Sequence, residues 1–407
     1  MVDFCSVKHL ENSEICSGEK WLYVADFNVF EKDVKRGKCP RIDEEVEDLK
    51  QLLNAGAKVG ILAHKGRHKD GSAVPLDFVI PYLTDKLNVL RDRIGYCSEN
   101  NSESASNMIK ALKPGSGLIM GNTRFHEGEE ANDKELARQF AKLGRRVAVG
   151  GFGKAHRMHA SNHGILDFLP GYATRSQLRQ MKKLENWAGT SEKFSVAVLG
   201  GVKREKITVG LEGFVKNYDA IIPGGVVLNA ILHGEGHGIG GSYMKDIDDD
   251  IIDMVENILH DDERRATIHI PSRMIVAKKG DNCFKSFRNM DIYMEKVPQD
   301  YSIVSYMLSE SACRSLDRVV KEGGRMIVAG TPDLYSQGIG LATNDVLERL
   351  RNPAVQGIVL GGDTASEIEY DNFSTGGGSA LYFAVNGTTP VFERLKEQVS
   401  GKRRNDS

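Results

Sequence analysis

Eight short apolar runs, each closed by glycine or a polar residue, limit what this chain can fold into more than any other feature. They read KWLYVADFN, AKVGILAHKGR, SGLIMGNTRF and RRVAVGGFG in the first half, then FSVAVLGG, DAIIPGG, RMIVAGT and GIVLGGDT in the second. An apolar run without polar alternation suits a strand covered on both faces, and such strands belong to parallel sheets. Amphipathic stretches separate them. EEVEDLKQLLNAG and KELARQFAKLG are two, with Gly56 and Gly144 placed where a helix should stop. Strand–helix repetition over 407 residues exceeds one ordinary core. The expected fold class is α/β, with two doubly wound parallel-sheet domains joined by a long helix. The boundaries expected are 1–172 for the N-terminal domain, 173–189 (ATRSQLRQMKKLENWAG) for the helix and 190–385 for the C-terminal domain. Residues 386–407 form a final segment expected to return to the first domain.

Composition removes several function classes. Hydrophobic residues make up 40% and charged ones 27%, as in a globular protein. The net charge of −2 gives no basic field for nucleic acid. No apolar run reaches the ~20 residues of a membrane helix, and MVDFCSVKHLENSEICSGEK lacks the layout of a signal peptide. The six cysteines, Cys5, Cys16, Cys39, Cys97, Cys283 and Cys313, form no C-x-x-C pair and read as reduced thiols. A cytoplasmic monomer is expected, with neither nucleic-acid nor membrane partners. The tail GKRRNDS reads as solvated and frayed.

Open α/β sheets bind ligands at the carboxyl ends of their strands, so the residues just after each run carry the chemistry. In the first half these are Asp26, Asn28, His64, Arg67, Arg124, His156 and Arg157, with Arg41 of CPRID added. Arginines and histidines together suit a compact ligand with several negative charges. In the second half they are Gly200, Gly201, Lys203, Lys206, Gly224, Gly225, the turn Gly361–Thr364 and the turn Ser374–Gly378. Glycine turns that open helices offer backbone N–H groups to phosphates, and Asp363 is a carboxylate suited to Mg²⁺. The charge to match those phosphates is remote in sequence, so the active site is expected in the cleft between the domains, completed by their closure. Two other features are set aside. GHGIGG follows a helix-like stretch and reads as a loop, and KDIDDDIIDMVENILHDDE reads as a solvated helix face.

The motifs VADFNV, PRI, AHKGR, NTRF, FGKAHRMHAS, LGGVK, GGDTA and STGGG stand in the order of the phosphoglycerate kinase signatures, and the chain resembles that family from about Val24 to Leu395. The resemblance implies Rossmann-like domains and transfer of the γ-phosphoryl of MgATP to a carboxylate, giving an acyl phosphate. It implies that Asp26, Asn28, Arg41, His64, Arg67, Arg124 and Arg157 bind a small anionic carboxylic acid. Gly201, Lys203, Lys206, Gly224, Gly225, Pro332, Asp363, Thr364 and Gly378 would bind ATP or ADP, Asp363 would hold Mg²⁺, and Arg41, Lys203, Gly376 and Gly377 would serve the transfer. The family's RVDFN is here VADFN, so its arginine is Val24, and its VNDAFG is here VGGFG, without the acid. Its GGAKVxDK is GGVKREK, and its WNGPxGxFE is AGTPDLYSQ, with Gly330 for the asparagine and Gln337 for the glutamate. A divergent member is expected. Its acid would be 3-phosphoglycerate or, in preference, a phosphate- or phosphonate-bearing analogue; the alternative is a non-catalytic homologue that binds an anion or a partner.

Overall fold

The computed structural model describes residues 2–281 and 283–401, so residues 402–407 of the charged tail lie outside the described part. The chain forms two compact units. One comprises residues up to Lys183 together with those from Thr388 onward, and the other is Leu184–Gly387. Among the described residues no helix is long and apolar enough to cross a membrane.

The first unit is built on six strands: β1 (Lys20–Val24), β2 (Lys58–Leu62), β3 (Ile94–Tyr96), β4 (Ser116–Ile119), β5 (Arg146–Val149) and β6 (Gly171–Ala173). All pair in parallel, in the order β3-β4-β2-β1-β5-β6. The helix Val46–Asn54 buries Leu49, Leu52 and Leu53 against Trp21 and Tyr23 of β1 and Val59 and Ile61 of β2. Leu22 and Val24, pointing the other way, are equally closed to solvent, which is why the run shows no alternation. The helix Lys134–Ala141 starts on Asp133, whose side chain accepts from Leu136 N at 2.7 Å. Gly56 has the positive φ of a helix stop, +82°. Gly144 does not; a Cβ there would lie 2.7 Å from Leu22 Cγ, so this glycine answers close packing against β1 instead.

The long helix is shorter than its sequence suggests. Residues up to Ala173 pair with β5, Thr174 Oγ1 accepts from Gln177 N, and the helix runs only over Arg175–Leu184. A tighter turn, Glu185–Trp187, follows it. The last helix, Pro390–Ser400, lies against the first unit: Gln398 accepts from Gly171 N at 2.8 Å and donates to Leu169 O at 2.8 Å.

The second unit contains β7 (Ser195–Leu199), β8 (Ala220–Pro223), β9 (Thr267–Ile268), β10 (Arg273–Lys279), β11 (Phe284–Asp291), β12 (Tyr301–Tyr306), β13 (Arg325–Ala329), β14 (Gln356–Leu360) and β15 (Phe373–Ser374). Its main sheet is parallel, in the order β15-β14-β13-β7-β8-β9. The strands β10, β11 and β12 form a separate antiparallel sheet, which the apolar runs do not announce because β11 is largely exposed. The acidic run is a helix, Asp249–His260, with Ile251, Val255 and Ile258 buried on one face and its carboxylates left outside.

The turns after β7, β8 and β13 pack backbone on backbone. Gly201 N donates to Thr331 O at 3.1 Å, Gly225 N to Pro332 O at 2.9 Å, and Val226 N to Gly201 O at 2.8 Å. Gly225 has φ +51°, and a Cβ on it would lie 2.2 Å from Gly201 O. Gly225→Ala should therefore lower the stability of this unit by ~1–3 kcal/mol, from strain and forced separation of the turns. Urea unfolding followed by circular dichroism checks this, and an unchanged midpoint would show that the turns tolerate separation.

Candidate active site

Each parallel sheet reverses its strand order once, and a crevice opens at the carboxyl ends of the two strands flanking that point. In the first unit these strands are β1 and β5, which pair directly. Asp26 follows β1 and is buried. Its Oδ1 accepts from Asn28 N at 3.2 Å, and its Oδ2 lies 3.3 Å from Arg41 Nη1. Asn28 is exposed and accepts from Gly66 N at 3.4 Å, which ties the β1 loop to the β2 loop.

The β2 loop carries His64, buried, and Arg67, exposed. Burial pushes the His64 imidazole well below its usual range, and the charges of Lys154 and Arg124 push it further, so the ring is neutral. Asn122, fully buried before Arg124, holds the β2 and β4 loops together. It donates to Lys65 O at 2.7 Å and Val74 O at 2.8 Å, and accepts from Arg124 N at 2.9 Å. Arg124 is 1% exposed. One nitrogen pairs with Glu130 at 2.9 Å and also reaches Gly66 O at 3.3 Å, while Nε and Nη2 are buried without a hydrogen-bond partner among the described residues. Burial is the main cause that lowers its pKa, with Glu130 opposing.

The β5 loop supplies Arg157, half-buried, whose Nε donates to His156 Nε2 at 3.1 Å. His156 thus orients the arginine. Asn162 braces the same loop through Lys154 O and Arg157 O, both at 3.1 Å. Glu129 accepts from Ser161 N at 2.9 Å and Ser161 Oγ at 2.6 Å. His159 is buried, with its pKa lowered to about 3 by burial and then by Arg124 and Arg157; its Nδ1, 4.0 Å from Glu129, makes no hydrogen bond among the described residues. The seven residues assigned to the acid from the sequence thus stand on the segments that follow β1, β2, β4 and β5 in the first unit.

Two buried groups in that crevice escaped the sequence reading. Lys154, in FGK after β5, is 3% exposed. Glu45, one turn after Arg41, accepts from Gly151 N at 2.7 Å and from the Tyr23 hydroxyl, and burial raises its pKa to about 8. The signal for Lys154 is its place in the motif FGKAHRMHAS. Glu45 carried none, because EVE reads as an exposed helix face.

In the second unit the flanking strands are β7 and β13. Lys203 is exposed in the β7 loop, and its O accepts from Lys206 N at 2.9 Å. Lys206 is half-buried and opens a segment of wide, π-type helical turn, Lys206–Leu211. Burial lowers its pKa to about 8, with repulsion from Lys203 adding to the shift and Glu205 opposing it. Gly201, Gly224, Gly225 and Pro332 meet here, but the N–H groups of Gly201, Gly224 and Gly225 already donate to carbonyls of Thr331, Leu199 and Pro332. Their contribution is close approach of the turns; those amides are engaged within the protein. Asp333, buried next to Pro332, accepts from Ser305 Oγ at 2.9 Å and Ala342 N at 3.0 Å, pinning the rebuilt AGTPDLYSQ loop to the helix Leu341–Leu350.

The two glycine turns of GGDTASEIEYDNFSTGGG are joined by Gly361 N donating to Ser374 O at 2.9 Å. Asp363 and Thr364 stand in the first turn of the helix Gly362–Ile368, with Asp363 exposed. Gly376 N donates to Ser374 Oγ at 3.2 Å, and Gly377, at φ +51°, caps the helix Gly378–Asn386. First-turn amides of a helix have no intrahelical acceptor and face outward as anion donors. Among the described residues no three His, Cys, Asp or Glu side chains are grouped to hold a metal. A lone exposed carboxylate such as Asp363 fits Mg²⁺, which keeps its waters and takes other ligands from a bound phosphate chain.

Known proteins match the chain over nearly its whole length. The phosphoglycerate kinase family model aligns with residues 12–386. The phosphoglycerate kinase of Methylorubrum populi is 27% identical, over 97% of this chain and 99% of its own, and that of Sinorhizobium medicae is 28% identical, over 96% and 99%. Two solved phosphoglycerate kinases share the fold. The one from Coxiella burnetii has a TM-score of 0.70 at 22% identity, covering 97% of this chain and 100% of that one. The one from Pyrococcus horikoshii has 0.72 at 21%, covering 97% and 99%. Eight motifs in order, two parallel sheets with loaded crevices and a family match across 12–386 agree: the chain belongs to the phosphoglycerate kinase family.

Proposed function

We propose that the protein transfers the γ-phosphoryl group of MgATP to the carboxylate of a small acid bearing a distal phosphate or phosphonate, giving an acyl phosphate and ADP. The carrying observation is the first-unit crevice, where Arg124 keeps Nε and Nη2 unbonded although it is almost wholly buried. A guanidinium held out of water with donors unspent is matched to an anion that arrives from outside. Arg67 and Arg157 add charge near it, and neutral His64 offers a further hydrogen bond. Asp26, braced by Arg41, suits a hydroxyl or amide-type donor at the carboxylate end.

In the second unit, the first-turn amides at Gly377 and Gly378 and the ammonium groups of Lys203 and Lys206 suit a phosphate chain. Asp363 would hold Mg²⁺, which supplies charge neutralisation of the phosphates. Lys203 is the exposed cation of the pair, and its role is to follow charge onto the transferring group. Transfer also requires the carboxylate to reach the γ-phosphorus with water excluded.

The direct test is a coupled assay with 3-phosphoglycerate and with its phosphonate analogue at saturating MgATP. Turnover of at least one acid, with acyl phosphate trapped by hydroxylamine, is the expected result. Absence of turnover together with absence of nucleotide binding by calorimetry would leave an anion-binding homologue. In the same assay Lys203→Ala should lower kcat by ~10²–10³-fold while the KM of the acid stays nearly unchanged, as for loss of a group acting on transition-state charge. Comparable turnover would remove Lys203 from the transfer.

The depressed Lys206 gives a pH signature. Its ammonium is present below about pH 8 and lost above it, whereas an ordinary lysine keeps its proton to ~10.4. Phosphate binding favours the charged form, so affinity for MgATP should fall as pH rises through that value, by about tenfold between pH 7 and pH 9. Lys206→Arg should flatten the profile over that range. A parent enzyme already flat would place Lys206 away from the phosphates.

A further inference from the structure

Lys154 has the properties of a binding group and no assigned partner. It lies in the β5 loop, 3% exposed, and its Nζ is fully enclosed without a hydrogen-bond partner among the described residues. A Cβ built on Gly151 would be 3.1 Å from Lys154 Cε and 3.1 Å from both Ala25 C and Asp26 N, so the lysine stem runs beside the chain where it leaves β1. The charges it feels are those of the acid crevice: Glu129, Asp26 and Glu45 favour its proton and Arg124 opposes it, while burial is the largest influence and disfavours it. It is also the first charged group acting on His64.

An enclosed amine surrounded by carboxylates, yet bonded to none, is costly to keep. Arg124, from a different loop, withholds two donors in the same crevice. Two buried cations with unspent donors on converging loops describe one anion site. The family pattern has an arginine where this chain has Val24, which is fully buried at the end of β1 and next to the Ala25–Asp26 backbone that Lys154 approaches.

We propose that Lys154 is a further anion-binding residue of the acid site, meeting the distal anion from beneath and replacing the positive charge absent at Val24. The proposal rests on the kinase reading above for its substrate class. It makes the loss of the arginine a relocation of charge from β1 to the β5 loop, and it makes the crevice selective for acids with a distal dianion.

Lys154→Met keeps the stem and removes the charge. The readouts are steady-state kinetics with 3-phosphoglycerate and with glycerate, which lacks the distal phosphate, and calorimetric binding of 3-phosphoglycerate alone. The expected result is a rise of about tenfold or more in KM and Kd for 3-phosphoglycerate, with the KM of MgATP and the kcat/KM for glycerate within about threefold of the parent. A change under about twofold for 3-phosphoglycerate, or equal losses on both acids, overturns the proposal. If the parent turns over neither acid, the kinase reading fails and calorimetry alone decides Lys154: binding weakened about tenfold upholds the role, and equal or absent binding overturns it. Should Lys154→Met not fold by circular dichroism, Lys154→Gln is read by the same criteria. Failure of both to fold overturns the proposal, because a lysine kept for a ligand is dispensable for folding.

Discussion

The first unit is organised around positive charge held out of water. Arg124 and Lys154 are both nearly closed to solvent. Burying an ion costs several kcal/mol unless partners replace its hydration. The partners present are graded: Glu130 takes one arm of Arg124, whereas Glu129, Asp26 and Glu45 surround Lys154 without bonding it. The crevice thus holds buried cations whose donors outnumber the acceptors offered to them. Such a site is poised for an anion without having to break an existing ion pair at every donor. The scaffold that tolerates this is the set of neutral clamps behind it. Asn122 ties two loops by three hydrogen bonds, with Lys65 N, Lys65 O and Val74 O, and Asn162 braces a third through two.

The second unit solves a different problem. Its ligand-facing turns carry little charge of their own and must bring three strand ends together. Gly201, Gly225 and the Thr331–Pro332 segment do this by exchanging backbone hydrogen bonds, and a Cβ on Gly225 would lie 2.2 Å from Gly201 O and one on Gly224 2.3 Å from Pro332 Cα. The amides spent in that exchange are unavailable to phosphate. In the proposed function the donors for an anion then come from the Gly377–Gly378 helix start and from the two lysines. Glycine therefore serves two separate ends in one unit, close packing at β7, β8 and β13 and helix-start geometry after β15.

Much of this was legible in the chain, for a simple reason. Parallel strands buried on both faces leave unbroken apolar runs, and the residue after each run lands at the crevice whatever the details of the helices. Asp26, His64, Arg124 and Arg157 could be read off in that way. What stayed hidden depends on neighbours distant in sequence. The antiparallel sheet β10–β12 was missed because β11, FKSFRNMD, is solvent-facing and carries no apolar signature. The stretch 173–189 has the length of one long helix, yet pairing with β5 claims Ala173 and a tighter turn takes over at Glu185. Gly144 looked like a helix stop when its reason is Leu22, more than a hundred residues earlier.

Glu45 shows how a departure from a family motif can be absorbed elsewhere. The segment VGGFG lacks the acid of the family pattern, which would leave the β5 loop without a carboxylate behind it. A Cβ on Gly150 would lie 2.3 Å from Glu45 Oε2 and 2.7 Å from the Tyr23 hydroxyl, so the carboxyl of Glu45 occupies the room that a side chain at 150 would need. From there it accepts from Gly151 N, Tyr23 and Ser176 Oγ. Burial raises its pKa to about 8, so near neutral pH it is mostly the uncharged acid. A neutral carboxyl anchors the loop without cancelling the positive charge in front of it. Glu45, buried where a side chain at 150 would stand, thus anchors the loop that the bare glycine pair leaves without a carboxylate of its own.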